Sequence, residues 1–227
     1  MKNVQQRTSA NSRRRFIAAP KWLALTLGAT SIVLAMRPAP HAAASDEVHT
    51  FSVRVAIAHD DEGAAANDSW VREQIEHANQ IFAPAGVAFR AQNIAREDAL
   101  ASVLVTRADR HRLGPLVDPE DGTIHAFVVR TMMDVDVEDH PLRGVHWRSR
   151  RGGGYRHFVV VTSIAGPNVL AHELGHFFGN PHSDTPGNVM SYTRGEGPPF
   201  FDEGQQRRIR QFAQRFISSG ELRLANP

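Results

Sequence analysis

The stretch His172-Glu173-Leu174-Gly175-His176-Phe177-Phe178-Gly179-Asn180-Pro181-His182 restricts the backbone more than any other part of this chain. Its spacing is H-E-x-x-H-x-x-G-x-x-H. Residues four apart share one face of a helix, so His172 and His176 can present both imidazoles to one ion if a helix runs through them. Gly179 accepts backbone angles closed to other residues, so the helix can stop there and the chain turn sharply. The turn brings His182 back as a third nitrogen ligand. Three protein ligands leave a fourth position open, the arrangement of a catalytic zinc rather than a structural one. Glu173 lies one residue beyond His172, near the ion but displaced from the ligand pair. That place suits a carboxylate that holds and deprotonates a zinc-bound water. The expected cofactor is one catalytic Zn2+ on His172, His176 and His182, with Glu173 catalytic.

A second element follows shortly after His182: Asn188-Val189-Met190-Ser191-Tyr192. From Val169 to Tyr192 the chain resembles the metzincin clan of zinc peptidases, whose long zinc motif is followed by a methionine turn. The resemblance implies that Met190 forms an apolar floor beneath the three histidines and is not itself a ligand. Astacin-like and serralysin-like members carry a tyrosine two residues after the methionine, and Tyr192 occupies that place. It implies a role near the zinc or the tetrahedral intermediate; the alternative is a packed aromatic with its hydroxyl on backbone. The short loop from His182 to Met190, with Ser183 and Pro186, is similar to matrixin spacing. The matrixin cysteine propeptide motif is excluded, because the chain has no cysteine. The start of the last helix, Phe201 to Ile209, resembles pappalysin-like enzymes. The subfamily stays open.

The first 44 residues read as an address. Ser12-Arg13-Arg14-Arg15-Phe16-Ile17 resembles a twin-arginine export signal, the alternative being a general secretory signal with a basic start, and an apolar run from Trp22 to Met36 follows. That run is short for a membrane span. Ala42-Ala43-Ala44 offers a leader-peptidase site, so cleavage is expected before Ser45. The expected protein is exported to the periplasm or outside of a bacterium-like cell, with the twin-arginine translocase as transient partner and no membrane anchor. The leader carries both lysines and five arginines and no acid, leaving 19 arginines against 24 acids in residues 45–227, a net charge of −5. The basic character of the whole chain therefore belongs to the leader and gives no reason to expect nucleic acid. Without disulfides, stability must come from the core and the metal. Residues 45–227 suffice for a single domain, expected to be monomeric.

Alternation over Val48–Ala58 predicts a strand, Asp68 or Ser69 to Phe82 a helix, and Val87–Ile94 a second strand. Residues 97–121 suggest helical turns near Ala99–Leu104 and Asp109–Leu113. Strands are expected at Thr123–Thr131, Gly144–Arg148 and Tyr155–Thr162, the last two joined across glycines 152–154. Helices are expected over Pro167–Phe178 and Asp202–Ser218. The resemblance implies an α+β fold: a twisted, mostly parallel sheet with one antiparallel edge strand, a zinc helix and a C-terminal helix. It also implies that Gly144–Arg148 is the edge strand above the cleft, where an extended peptide can pair, and that Thr193–Phe200 walls a substrate pocket.

Other clusters compete for attention. Asp134, Asp136, Glu138 and Asp139 supply oxygens that calcium favours but lack the spacing of a calcium loop, so a solvated acidic loop is expected. His140, His146 and His157 do not match a zinc spacing. Arg148, Arg150, Arg151 and Arg156 could favour acidic substrates or form a solvated hairpin tip. The reading that follows is an exported zinc metallopeptidase acting on protein or peptide substrates. Its competitors are a zinc-stabilised binding domain without catalysis and a zinc amidase acting on cell-wall peptides.

Overall fold

The computed structural model describes residues 48–151 and 154–225. The expected leader at 1–44 and the glycine joint at 152–153 lie outside them. The sheet is built around β1 (His49–Asp60), whose Phe51, Val53, Val55 and Ile57 are buried as the alternation requires. β1 runs parallel to β3 (Val87–Glu97) on one side and to β5 (Ile124–Val129) on the other. β5 is parallel to β8 (Gly154–Thr162), and β7 (Gly144–Arg151) closes the edge antiparallel to β8. All six residues of β5 are buried, as expected for a parallel strand covered on both faces. The fold is the expected α+β arrangement, with a mostly parallel sheet and an antiparallel edge.

Two short pairings were not expected. β2 (Gly63–Ala64) folds back on the end of β1, and β4 (Val103–Leu104) runs parallel to β6 (Thr131–Met132). The second pairing corrects the helical turn expected at Ala99–Leu104. Only the turn Leu100 N–H to Glu97 C=O forms there; beyond it, the Ser102 and Leu104 carbonyls accept from Arg130, Thr131 and Met133. Burial of Leu104 thus selects extended backbone over a local helical turn.

Helix α1 (Asp68–Phe82) starts one residue earlier than a cap at Asp68 would allow. Asn67 caps it by accepting from Trp70 N–H at 2.8 Å. Its Val71, Ile75, Ala78 and Ile81 face the core as expected. α2 (Arg107–Arg112) begins at a reciprocal capping box between Thr106 and Asp109. α3 (Val169–Phe177) packs against α1, β7 and β8. α4 (Glu203–Ser219) opens on a second capping box, Asp202 with Gln205, and ends at Gly220 in a left-handed conformation.

Phenylalanines fix the end of α3. Phe178 meets Phe51, Phe82, Phe89 and Phe216 at ring-centroid distances of 5.7–6.1 Å. Phe82 also packs edge-on against Phe201 at 4.8 Å. Each such buried ring contributes about 1.5–3 kcal/mol by area alone, so the helix that carries the histidines is anchored by the core rather than by its own propensity. Among the described residues, no helix is long and apolar enough to cross a membrane.

Candidate metal centre

The end of α3 is a Schellman motif. Asn180 N–H donates to Gly175 C=O and Gly179 N–H to His176 C=O, each at 2.9 Å, with Gly179 at φ +81°. A side chain at Gly179 would face a second obstacle besides this conformation, because its Cβ would lie 2.5 Å from the ring of Phe212. The stop therefore directs the chain toward His182 while α4 packs beneath it. Within the helix, a Cβ on Gly175 would lie 2.3 Å from Met190 Sδ. The thioether thus lies directly against the helix backbone, and Met190 is fully buried, as an apolar floor requires.

The three histidines converge. Their ligand atoms all lie within 4.8 Å of one another, and among the described residues they are the one group of His, Asp and Glu side chains close enough to hold an ion. His172 Nδ1 bonds the Val189 carbonyl at 2.7 Å, and His176 Nδ1 bonds the Asn180 carbonyl at 2.8 Å. A carbonyl can only accept, so Nδ1 carries the proton and the Nε2 lone pairs are directed inward. His176 Nε2 and His182 Nε2 are 3.0 Å apart. Two nitrogens bound at the usual zinc distance on a tetrahedral ion would be about 3.3 Å apart, so the donor set fits zinc. Burial lowers the pKa of His172 and pushes His176 down to about 4, which keeps both rings in the neutral form that binds metal. The Tyr192 hydroxyl is 2.9 Å from His182 Nε2, although its ring is 81% exposed. This tyrosine is at the centre and is not a packed aromatic bonded to backbone.

Glu173 is 5% exposed, and burial pushes its carboxyl up to about 8, opposed by the backbone N–H of His146 on β7. The close approach of β7 depends on Gly144, where a Cβ would be 2.7 Å from Glu173 Oε1. Two cavities meet at this carboxylate. One, of about 550 Å³, lies along β7 and the second half of the zinc motif, with Trp147, Arg148 and Asp134 in its wall. The other, of about 820 Å³, is bounded by the start of α3 and by Thr193, Arg194, Gly195, Gly197 and Pro199. The segment after the methionine turn does therefore wall a cavity at the site. His172, Glu173 and Tyr192 line both.

Several other groups have different partners. Asp134 accepts from the N–H groups of Asp136 and Val137, and Asp136 pairs with Arg107 on α2. His146 and His157 do meet, at 3.1 Å, and His157 reaches Glu221 while stacking on Phe177 at 3.9 Å. His140 does not join them in a ligand group. The sequence reading missed the buried amide pair Asn188–Gln205. Asn188 Nδ2 donates to Gln205 Oε1 at 2.7 Å, Gln205 Nε2 returns a bond at 3.2 Å, and Asn188 Oδ1 also accepts from Met190 N–H. It couples the methionine turn to the first turn of α4. Each residue had appeared only as part of a motif; nothing in their spacing indicates the pairing.

The chain resembles solved structures of mirolysin. Mirolysin in complex with a compound superposes with a TM-score of 0.59 at 15% identity, over 80% of this chain and 100% of that one. Mature mirolysin of Tannerella forsythia in complex with a cleaved peptide gives 0.55 at 14% identity, over 80% and 99%. Promirolysin of the same organism gives 0.52 at 12%, over 80% and 87%. At these identities the likeness is one of fold. No family model matches the chain, and no curated protein matches it by sequence.

Proposed function

We propose that this chain is an exported, zinc-dependent endopeptidase of metzincin type, with residues 1–44 as a cleaved twin-arginine leader and 45–227 as one catalytic domain. The observation that carries this reading is the convergence of three imidazoles, two of them oriented by backbone carbonyls, beside a buried carboxylate. A purely structural metal site has no use for Glu173 or for cavities on both sides of it. The fold shared with mirolysin, which was solved with a cleaved peptide, supports the same chemistry.

His172, His176 and His182 would hold the ion. Zinc, when bound, polarises the scissile carbonyl and lowers the pKa of the attacking water. Glu173 accepts the proton of that water and delivers it to the leaving amine. The adjacent cation would favour the carboxylate needed to take the proton, and burial then favours the protonated carboxyl until the amine takes it. The Tyr192 hydroxyl, at the edge of the same site, is placed to donate to oxyanion charge as it develops. The open edge of β7 beside Glu173 can pair with an extended substrate through main-chain hydrogen bonds. Met190 and Gly179 shape the site without touching the reaction.

The test is zinc content and casein hydrolysis by residues 45–227, with Glu173→Gln alongside. The expected result is one zinc in both proteins, cleavage by the native chain, and at least a thousandfold loss in the variant (an order-of-magnitude expectation for general-base removal). A folded protein without zinc, or a Glu173→Gln variant of near-native activity, would refute the proposal.

A further inference from the structure

The two cavities that meet at Glu173 differ in charge. The one along β7 is mixed, lined by Arg110, Arg148, Asp134 and Asp136. The one beyond the methionine turn is lined by two arginines, Arg143 and Arg194, and by a single carboxylate, Glu173 itself. Glu173 is buried, accepts from the His146 N–H and forms an ion pair with neither arginine. Neither guanidinium has a carboxylate partner among the described residues. Both are exposed. Glu196, in the same loop as Arg194, does not line this cavity. Two unpaired cations at one cavity stand out in a domain where acids outnumber arginines 24 to 19 over residues 45–227.

We infer that this cavity selects an acidic substrate side chain, aspartate or glutamate, at one of the two positions flanking the cleaved bond, and that Arg143 and Arg194 determine the selectivity. The inference rests on the peptidase reading above and adds the substrate class. At about 820 Å³ the cavity admits any side chain, so size does not choose among them. Charge does. An arginine side chain in a substrate would meet two like charges, and an apolar one would leave both cations with water alone. A carboxylate gains a charge-assisted partner from either fork. Both arginines are solvent-exposed, so the preference is graded rather than absolute, roughly 5- to 30-fold in kcat/KM where both pair with the carboxylate. It weakens as salt rises, because the pairs are screened.

The experiment is cleavage-site profiling of a mixed peptide library by mass spectrometry, using zinc-loaded native protein, Glu173→Gln, and Arg143→Glu with Arg194→Glu combined. Both arginines lie on the surface, and thermal unfolding checks that the double variant is folded. The expected result is about 5- to 30-fold enrichment of Asp and Glu at one flanking position in native protein, falling with salt and inverting to Lys and Arg in the double variant. Cleavage with no acidic enrichment, or with enrichment unchanged in the double variant, overturns the selectivity and leaves the peptidase reading standing. Native protein as inert as Glu173→Gln across the library overturns both.

Discussion

A methyl group on Gly175 would have to displace Met190 Sδ, which leaves only 2.3 Å for it. Met190 is fully buried, so nearby atoms cannot yield cheaply. Gly175→Ala is expected to cost about 1–3 kcal/mol of stability, read from denaturant unfolding, and to weaken zinc retention in parallel. Gly144→Ala acts differently. Its Cβ would press on Glu173 Oε1 from β7, so turnover should fall at least tenfold while zinc stays at one per chain (an estimate for a carboxylate displaced by about 1 Å). The convergence of His172, His176 and His182 was legible in the sequence because their spacing encodes helix geometry directly. Gly144 and Gly175 were not, since the atoms that forbid their Cβ come from residues distant in the chain or on a neighbouring element. Tyr192 was legible by motif position, but its exposed ring at His182 was not.

Among the elements, α4 is tied to the methionine turn by a buried amide pair. Asn188 and Gln205 exchange two amide hydrogen bonds, and Gln205 Oε1 also receives Asp202 N–H. Replacing either residue by alanine leaves its partner's buried amide NH2 without this acceptor, which costs about 1–3 kcal/mol. Asn188→Ala and Gln205→Ala together should cost clearly less than the sum of the two, because the second change removes a group already orphaned. A double-mutant cycle on thermal or urea unfolding measures this. The five long strands of the sheet and helices α1, α3 and α4 could be read within two or three residues, since each carries its own period. The pairing of β4 with β6 could not, because two residues have no period and their partners lie 28 positions away.

Acid should destabilise the whole molecule through its buried imidazoles. Burial, with His157 adding repulsion, pushes His146 down to about 3. Unfolded, the same group titrates near its ordinary value of about 6.5, so below that pH the unfolded chain binds the extra proton. The contribution of neutral His146 is complete above pH 6.5 and is lost as pH falls toward 3, at up to about 1.4 kcal/mol per pH unit. Thermal unfolding of the metal-free protein from pH 7 to 4 should show this fall, and His146→Gln should flatten it. Chelation at pH 7 should lower the zinc-loaded midpoint toward the metal-free one, because an ion bound only by the folded state stabilises it.

Residues near 224 complete the first strand. Leu224 bridges to Phe51, the Ala225 N–H donates to the Thr50 carbonyl at 2.7 Å, and the Arg223 N–H donates to Gly122 C=O. A ribosome working at 5–20 residues per second needs roughly 10–35 s to travel from Phe51 to Leu224. Throughout that interval the nascent strand has its side chains ready but lacks this closing pair. α4 and its phenylalanines, which seal the core beneath the histidines, are also late arrivals. Folding of this domain is therefore expected to finish only once the residues near 224 have left the ribosome, and a chaperone that shelters the apolar strands until then should raise its yield.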